Sequence, residues 1–274
     1  MRALGLLVVV GCYHPAPASD VPCAANFECP TGQLCDVGQN PPVCVTKLVD
    51  AGIADTTARD AQPVDARPVD AAAGAPIAFV QQVSDKPVGM SQALAFPAPI
   101  GASDAIILCL NFSVANGADL QSISDSLGNT YALVVNGIAS SNAVHYVAVA
   151  LDSPPGVDTV TVTFTGALPS AGSDLMMMEY SGLALANAFD VTNHATGMTT
   201  AMSSGTIVTH AANELILGYA EGTGTTAGAG FTQRASQTGN LTEDKIVSAI
   251  GQYDATATAT SGAWTMIVAS FSGR

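Results

Sequence analysis

From residue 76 onward, short apolar runs are divided by Gly, Pro, Ser and Asn at spacings of roughly ten to fifteen residues. The clearest runs are 77–83, 105–113, 131–136, 145–151, 159–165, 174–181, 214–221, 245–253 and 264–271. Thr159-Val-Thr-Val-Thr-Phe-Thr165 alternates strictly, which places Val160, Val162 and Phe164 on a core face and the threonines on the other. The Gly-Asn pair within Asp125–Tyr131 precedes a strand and reads as a hairpin turn. No stretch carries an amphipathic helical period longer than two turns. Regular short strands with this punctuation predict an all-β sandwich or barrel. Ten or more strands in about 200 residues favour a two-sheet jelly roll over a smaller immunoglobulin-like domain.

The beginning of the chain has a different pattern. Met1 and Arg2 start it with positive charge, and Ala3–Val10 form an apolar run closed by Gly11 and Cys12. A run this short falls far below the ~20 residues needed to span a bilayer, but it suits a signal-peptide core of about 7–15 residues. Val9-Val10-Gly11-Cys12 resembles the lipobox of bacterial lipoproteins. The resemblance implies removal of a signal peptide at residues 1–11 and acylation of Cys12. It places the protein in the cell envelope on a lipid anchor; Tyr13 after the Cys, in place of Asp, points to the outer membrane ahead of the inner. Val9 stands where Leu is usual, and an ordinary secretion signal is the alternative.

Residues 12–45 form a second region. Cys23, Cys29, Cys35 and Cys44 fall among several Pro and Gly residues. So short a segment cannot bury enough apolar surface to order itself without staples. Export favours two disulfides, with three connectivities open. Zinc is the rival, but no Cys-x-x-Cys pair exists and the segment holds one His, His14. The run Cys29-Pro-Thr-Gly-Gln-Leu-Cys35-Asp resembles small Cys-rich modules that come after the anchor in surface lipoproteins. In residues 46–75 an Asp recurs every five residues, at Asp50, Asp55, Asp60, Asp65 and Asp70, with Pro63 and Pro68 among them. An acidic, Ala- and Pro-rich segment without aromatics is predicted to be a disordered linker. At ~3.1 Å per residue it would reach ~90 Å when extended.

Asp125-x-x-Gly-Asn-x-Tyr131, Glu179-Tyr-Ser-Gly182, Asn213-Glu-Leu and the final strand at Trp264 together resemble a β-sandwich domain of bacterial surface proteins. That resemblance covers residues 76–274 and implies fold and location without an activity. Charged residues make up 11% of the chain, below the usual ~25%, so Ser, Thr, Asn, Gln and Gly must cover the surface. Net charge is −14 with 8 Lys plus Arg, so no basic patch for nucleic acid can be assembled.

Candidate chemistry is diffuse. Gly222-Thr-Gly-Thr-Thr-Ala227 fits a dinucleotide fingerprint formally, but the Gly-Ala-Gly-Phe-Thr run after it cannot start the helix that holds a pyrophosphate. Ser91 in Gly89-Met-Ser-Gln-Ala93 lacks the closing Gly of a nucleophile elbow. His145 opens a strand, while His194 and His210 are read as lying in polar loops. Cys109 reads as a small buried hydrophobe, and Trp264 and Met176–Met178 as packing. Glycoside hydrolysis would need two facing carboxylates. Asp174, Glu179, Asp190, Glu214, Glu221, Glu243 and Asp244 are candidates, and nothing in the sequence selects two of them. No cofactor is implied; a structural Ca²⁺ is the one metal considered. The ladder Thr256, Thr258, Thr260 reads as a solvated strand face or a flat contact surface. The expectation is a lipid-anchored, non-catalytic domain for binding, adhesion or envelope structure, with carbohydrate or another surface protein as partner. A glycan-active enzyme on the same scaffold is the alternative.

Overall fold

The computed structural model describes residues 75–114, 117–140 and 143–274 throughout, together with the backbone at 21–22, 34–36 and 43–45 and the side chain of Cys44. The expectations for residues 1–11, Cys12, Cys23, Cys29 and the linker lie outside the described residues. The chain divides into two units, Met1–Asp65 and Ala66–Arg274. In the first, β1 (Val21–Pro22) and β2 (Leu34–Asp36) flank β3 (Val43–Val45) in an antiparallel sheet. Cys35 stands opposite Cys44 in that register. Cys44 is buried and disulfide-bonded.

The second unit is all-β, and it contains the same jelly roll twice. The first copy comprises β4 (Ala78–Asp85), β5 (Gly89–Ala95), β6 (Asp104–Ser113), β7 (Leu120–Asp125), β8 (Ala132–Ala139), β9 (Ala143–Ser153), β10 (Thr159–Leu168) and β11 (Ser173–Ser181). Its sheets run β4-β11-β6-β9-β8 and β5-β10-β7. This is jelly-roll order, with the fifth strand joined to the larger sheet. The second copy comprises β12 (Phe189–Gly197), β13 (Ala201–Ser203), β14 (Ile207–Val208), β15 (Glu214–Thr223), β16 (Thr226–Ala227), β17 (Thr232–Gln237), β18 (Asn240–Val247), β19 (Gln252–Tyr253), β20 (Thr256–Thr258) and β21 (Ser261–Ser272). Its sheets run β12-β21-β15-β18-β17 and β13-β20-β16, with the β14-β19 pair beside them. Strand for strand the two large sheets correspond, and so do the two small ones.

Three hydrophobic clusters show how the sheets stack. Ile107, Cys109, Met176 and Met178 of one large sheet meet Leu215, Leu217, Tyr219 and Ile267 of the other. The first large sheet turns Ile106, Leu108, Leu110 and Met177 the other way, onto Val160, Val162 and Phe164 of its small sheet. The second turns Ile216, Met266 and Val268 onto Met202, Ala255 and Ala257. The β-sandwich class therefore holds, but with four layers in place of two. Each large sheet is covered on both faces, so its central strands are buried at every position from Ile106 to Leu110 and from Leu175 to Tyr180.

The alternation at Thr159–Thr165 is realised, with Val160, Val162 and Phe164 fully buried. Met176 and Met178 enter one core and Met177 the next, as strand neighbours should. Three local expectations change. The segment 245–253 is not one strand: β18 stops at Val247, and β19 begins a separate pairing with β14. The Gly-Asn turn is not a hairpin, because β7 pairs with β10 and β8 with β9. It is a crossing between sheets, fixed by the Asp125 carboxylate, which accepts from the Leu127 and Asn129 amides and the Tyr131 hydroxyl. His194 lies within β12 and is exposed, not in a loop.

Candidate functional site

The apolar strands at the junction of the two copies turn polar together at one end. Asn111 of β6 pairs in register with Asp174 of β11 on one side and His145 of β9 on the other. By strand alternation all three face the second copy, continuing the row of Cys109, Met176 and Val147. On the facing sheet Glu221 of β15 pairs with Thr265 of β21, and Asn240 of β18 precedes Leu241, the partner of Ala220. The two rows of three therefore close one end of the central interface.

Hydrogen bonds join them. His145 Nε2 lies 2.7 Å from Glu221 Oε2, while its Nδ1 lies 3.0 Å from the Ile138 carbonyl. Asn240 Nδ2 donates to Asp174 Oδ2 at 2.7 Å, and Thr238 donates to Asp174 Oδ1 at 2.5 Å. One rung inward, the Tyr219 hydroxyl donates to Asn111 Oδ1 at 2.7 Å. Such buried groups need these partners, since an unsatisfied one costs about 1–3 kcal/mol.

Burial pushes the Asp174 carboxyl up to about 6, against the hydrogen bonds from Thr238 and Asn240. Burial would raise Glu221 too, but its hydrogen bond to His145 outweighs this and holds the carboxyl below its ordinary value. Both carboxylates line a cleft of about 400 Å³, together with Asn111, Ser113, Thr238 and Asn240. Glu221 also reaches a second cleft of about 410 Å³ on its other side, beside Trp264 and Thr265. No Lys or Arg lines either cleft among the described residues.

Of the seven acidic candidates, the structure brings Asp174 and Glu221 to one cleft and disperses the rest. Glu179 is buried far along the same strand, accepting from the Gly101 amide at 2.7 Å and from Gln81 at 2.5 Å. It hydrogen-bonds Asp104, whose carboxyl burial and that contact push up to about 6. Glu214 hydrogen-bonds Asp190, which also accepts from the exposed His210 at 2.8 Å. Glu243 is buried beneath the Gly228 amide, and burial pushes it up to about 7. Asp244 takes Arg234 and the Tyr180 hydroxyl, each at 2.8 Å.

Ser91 sits mid-strand on β5, opposite Thr163, without a base beside it. Gly222–Ala227 joins β15 to β16 with no helix. Cys109 is fully buried, and burial raises its thiol above the ordinary value. Among the described residues, no three His, Cys, Asp or Glu side chains gather where a metal ion could be held. Asn111, Thr238 and Asn240 carry no motif that marks them in the sequence. The signal that could have found them is the register: each stands where an inward apolar series turns polar.

The chain is thus an all-β protein of tandem jelly rolls with a polar cleft at their junction. No protein family, curated protein or solved structure matches it.

Proposed function

We propose that the protein is an exported lipoprotein, held in the cell envelope through an acylated Cys12. Its tandem jelly-roll domain would serve as a non-catalytic recognition module. Residues 1–11 would be the signal peptide, Cys23, Cys29, Cys35 and Cys44 a two-disulfide module, and residues 46–75 the spacer. The anchor rests on the sequence Val9-Val10-Gly11-Cys12. Acylation supplies about 0.8 kcal/mol per buried methylene, and several chains together hold a protein on a bilayer. The outer membrane is favoured by Tyr13.

The observation that carries the recognition role is the junction cleft. Asn111, Thr238, Asn240, Asp174 and Glu221 offer donors and acceptors with no cationic side chain among them. Such a lining rejects anions and suits ligands rich in hydroxyl or amide groups, either carbohydrate or the polar surface of another envelope protein. Two experiments test the halves separately. Cys12→Ala should move the protein from the membrane to the soluble fraction; unchanged partitioning rejects the anchor. The full chain should bind components of a glycan and peptidoglycan panel, with and without Ca²⁺; a negative panel rejects the carbohydrate branch.

A second reading has its own support. Asp174 and Glu221 line one cleft with carboxyls shifted in opposite directions, the pattern that separates an acid from a base in glycan-cleaving enzymes. Release of reducing ends from a panel glycan, abolished by both Asp174→Asn and Glu221→Gln, would establish it over the binding role.

A further inference from the structure

The cleft on the far side of Glu221 differs from the first. It is about 410 Å³, formed by Ser140 after β8 of the first copy and by Thr196, Gly197, Glu221, Trp264 and Thr265 of the second, with Met198 at its rim. Met198 is 75% exposed. Gly197 leaves the space open: a Cβ there would stand 2.3 Å from Trp264 Cζ2. The Trp264 side chain is more than nine-tenths buried, yet its indole N–H finds no acceptor among the described residues. A buried donor left unpaired is costly, and native structures rarely leave one so. Across the cleft Glu221 is ionised, held below its ordinary value against burial by His145, with Thr265 and Ser140 also contributing.

The lining therefore lacks one thing at each side: an acceptor for the indole N–H and donors for the carboxylate. A carboxylate ligand would meet Glu221 as a like charge. An ammonium could serve Glu221 but has no lone pair for the indole. A sugar hydroxyl both donates and accepts. We infer that this cleft is a subsite for a neutral saccharide of one or two rings, hydrogen-bonded by Glu221 and by the Trp264 N–H. The inference rests on the carbohydrate branch of the recognition role and gives it an address.

Trp264 is the one Trp of the chain, so its emission reports on this cleft alone. The full chain is titrated with cellobiose, N,N′-diacetylchitobiose, glucosamine and galacturonate, following Trp264 fluorescence and binding heat in parallel. A neutral disaccharide should change the emission saturably, and galacturonate should not. Glu221→Gln keeps the side-chain shape and should weaken binding about tenfold, as loss of a charge-assisted hydrogen bond implies. Thr196 is exposed, so Thr196→Arg should block the cleft without disturbing the fold, which circular dichroism verifies. Saccharide heat with unchanged emission, indifferent to both variants, overturns this address and leaves the recognition role standing. Stronger binding of glucosamine than of the neutral sugars overturns the donor–acceptor argument. No heat from any saccharide removes both the subsite and the carbohydrate branch.

Discussion

The two jelly rolls share a topology and fill it differently. In the first, the small sheet has strands of 7, 10 and 6 residues and points Val160, Val162 and Phe164 inward. In the second, the matching strands have 3, 3 and 2 residues, and the inward positions are Ala255, Ala257 and Ala259. The large sheets are complementary. Leu108 in the first copy corresponds by register to Gly218 in the second, where a Cβ would lie 3.0 Å from that of Ala255 and 2.7 Å from Glu243 Cγ. One topology can thus be closed by bulky side chains over a broad sheet or by small ones over a narrow sheet, provided both faces agree. The junction between the copies has neither pattern: it begins apolar and ends in the two polar rows around Glu221.

The largest effects should expose that contrast. Phe164 packs edge-on against Phe112 at 5.2 Å between centroids, and Phe164→Ala should cost about 3–5 kcal/mol in denaturant unfolding. Ala257→Leu, at the comparable place in the second copy, should cost about 1–3 kcal/mol for the opposite reason, overpacking. If Ala257→Leu is stabilising instead, the second core is loosely filled and the contrast fails.

Acidity separates the copies next. Asp104 in the first, Asp174 at the junction and Glu243 in the second are all raised, to about 6, 6 and 7 from ordinary values of 3.8, 3.8 and 4.5. The folded state therefore holds these protons more tightly than the unfolded state. Their contribution is full below the ordinary values and is lost as pH rises through about 6–7. Glu221 and Asp190 are lowered, so theirs is present above the ordinary carboxylate range and lost as pH falls through their folded values. Stability should peak in mild acid near pH 5, about 1–3 kcal/mol above its value at pH 8. Glu243→Gln should raise the melting temperature at pH 8 and leave it nearly unchanged at pH 5. A flat pH profile for the parent protein contradicts the burial of these carboxyls.

Smaller effects should mark the joints. Tyr219→Phe leaves Asn111 Oδ1 without its donor and should cost about 1 kcal/mol or somewhat more in thermal unfolding. Thr161→Val, on the solvent side of β10, should stay within about 0.5 kcal/mol by thermal melting.

Much of the fold was legible because strand alternation is a local property. The threonine face of β10 and the opposite burial of Met176 and Met177 come from period two alone. The duplication also left a trace, since Tyr180-Ser-Gly182 and Phe271-Ser-Gly273 close corresponding strands. The trace is faint because each position needs only the right size and polarity, and residues as unlike as Leu108 and Gly218 satisfy one site. The candidate cleft was not legible. Asp174 and Glu221 stand 47 positions apart by number, and five other carboxylates looked equally suitable.

What the amino-acid order determined alone was the alternation of faces, the β class and the anchor motif expected at Cys12, because each depends on neighbours along the chain. Only the tertiary structure decided that two jelly rolls stack through their large sheets, and that Glu221 lies between His145 and Trp264. Those outcomes depend on strand register across two sheets, which local propensity does not encode.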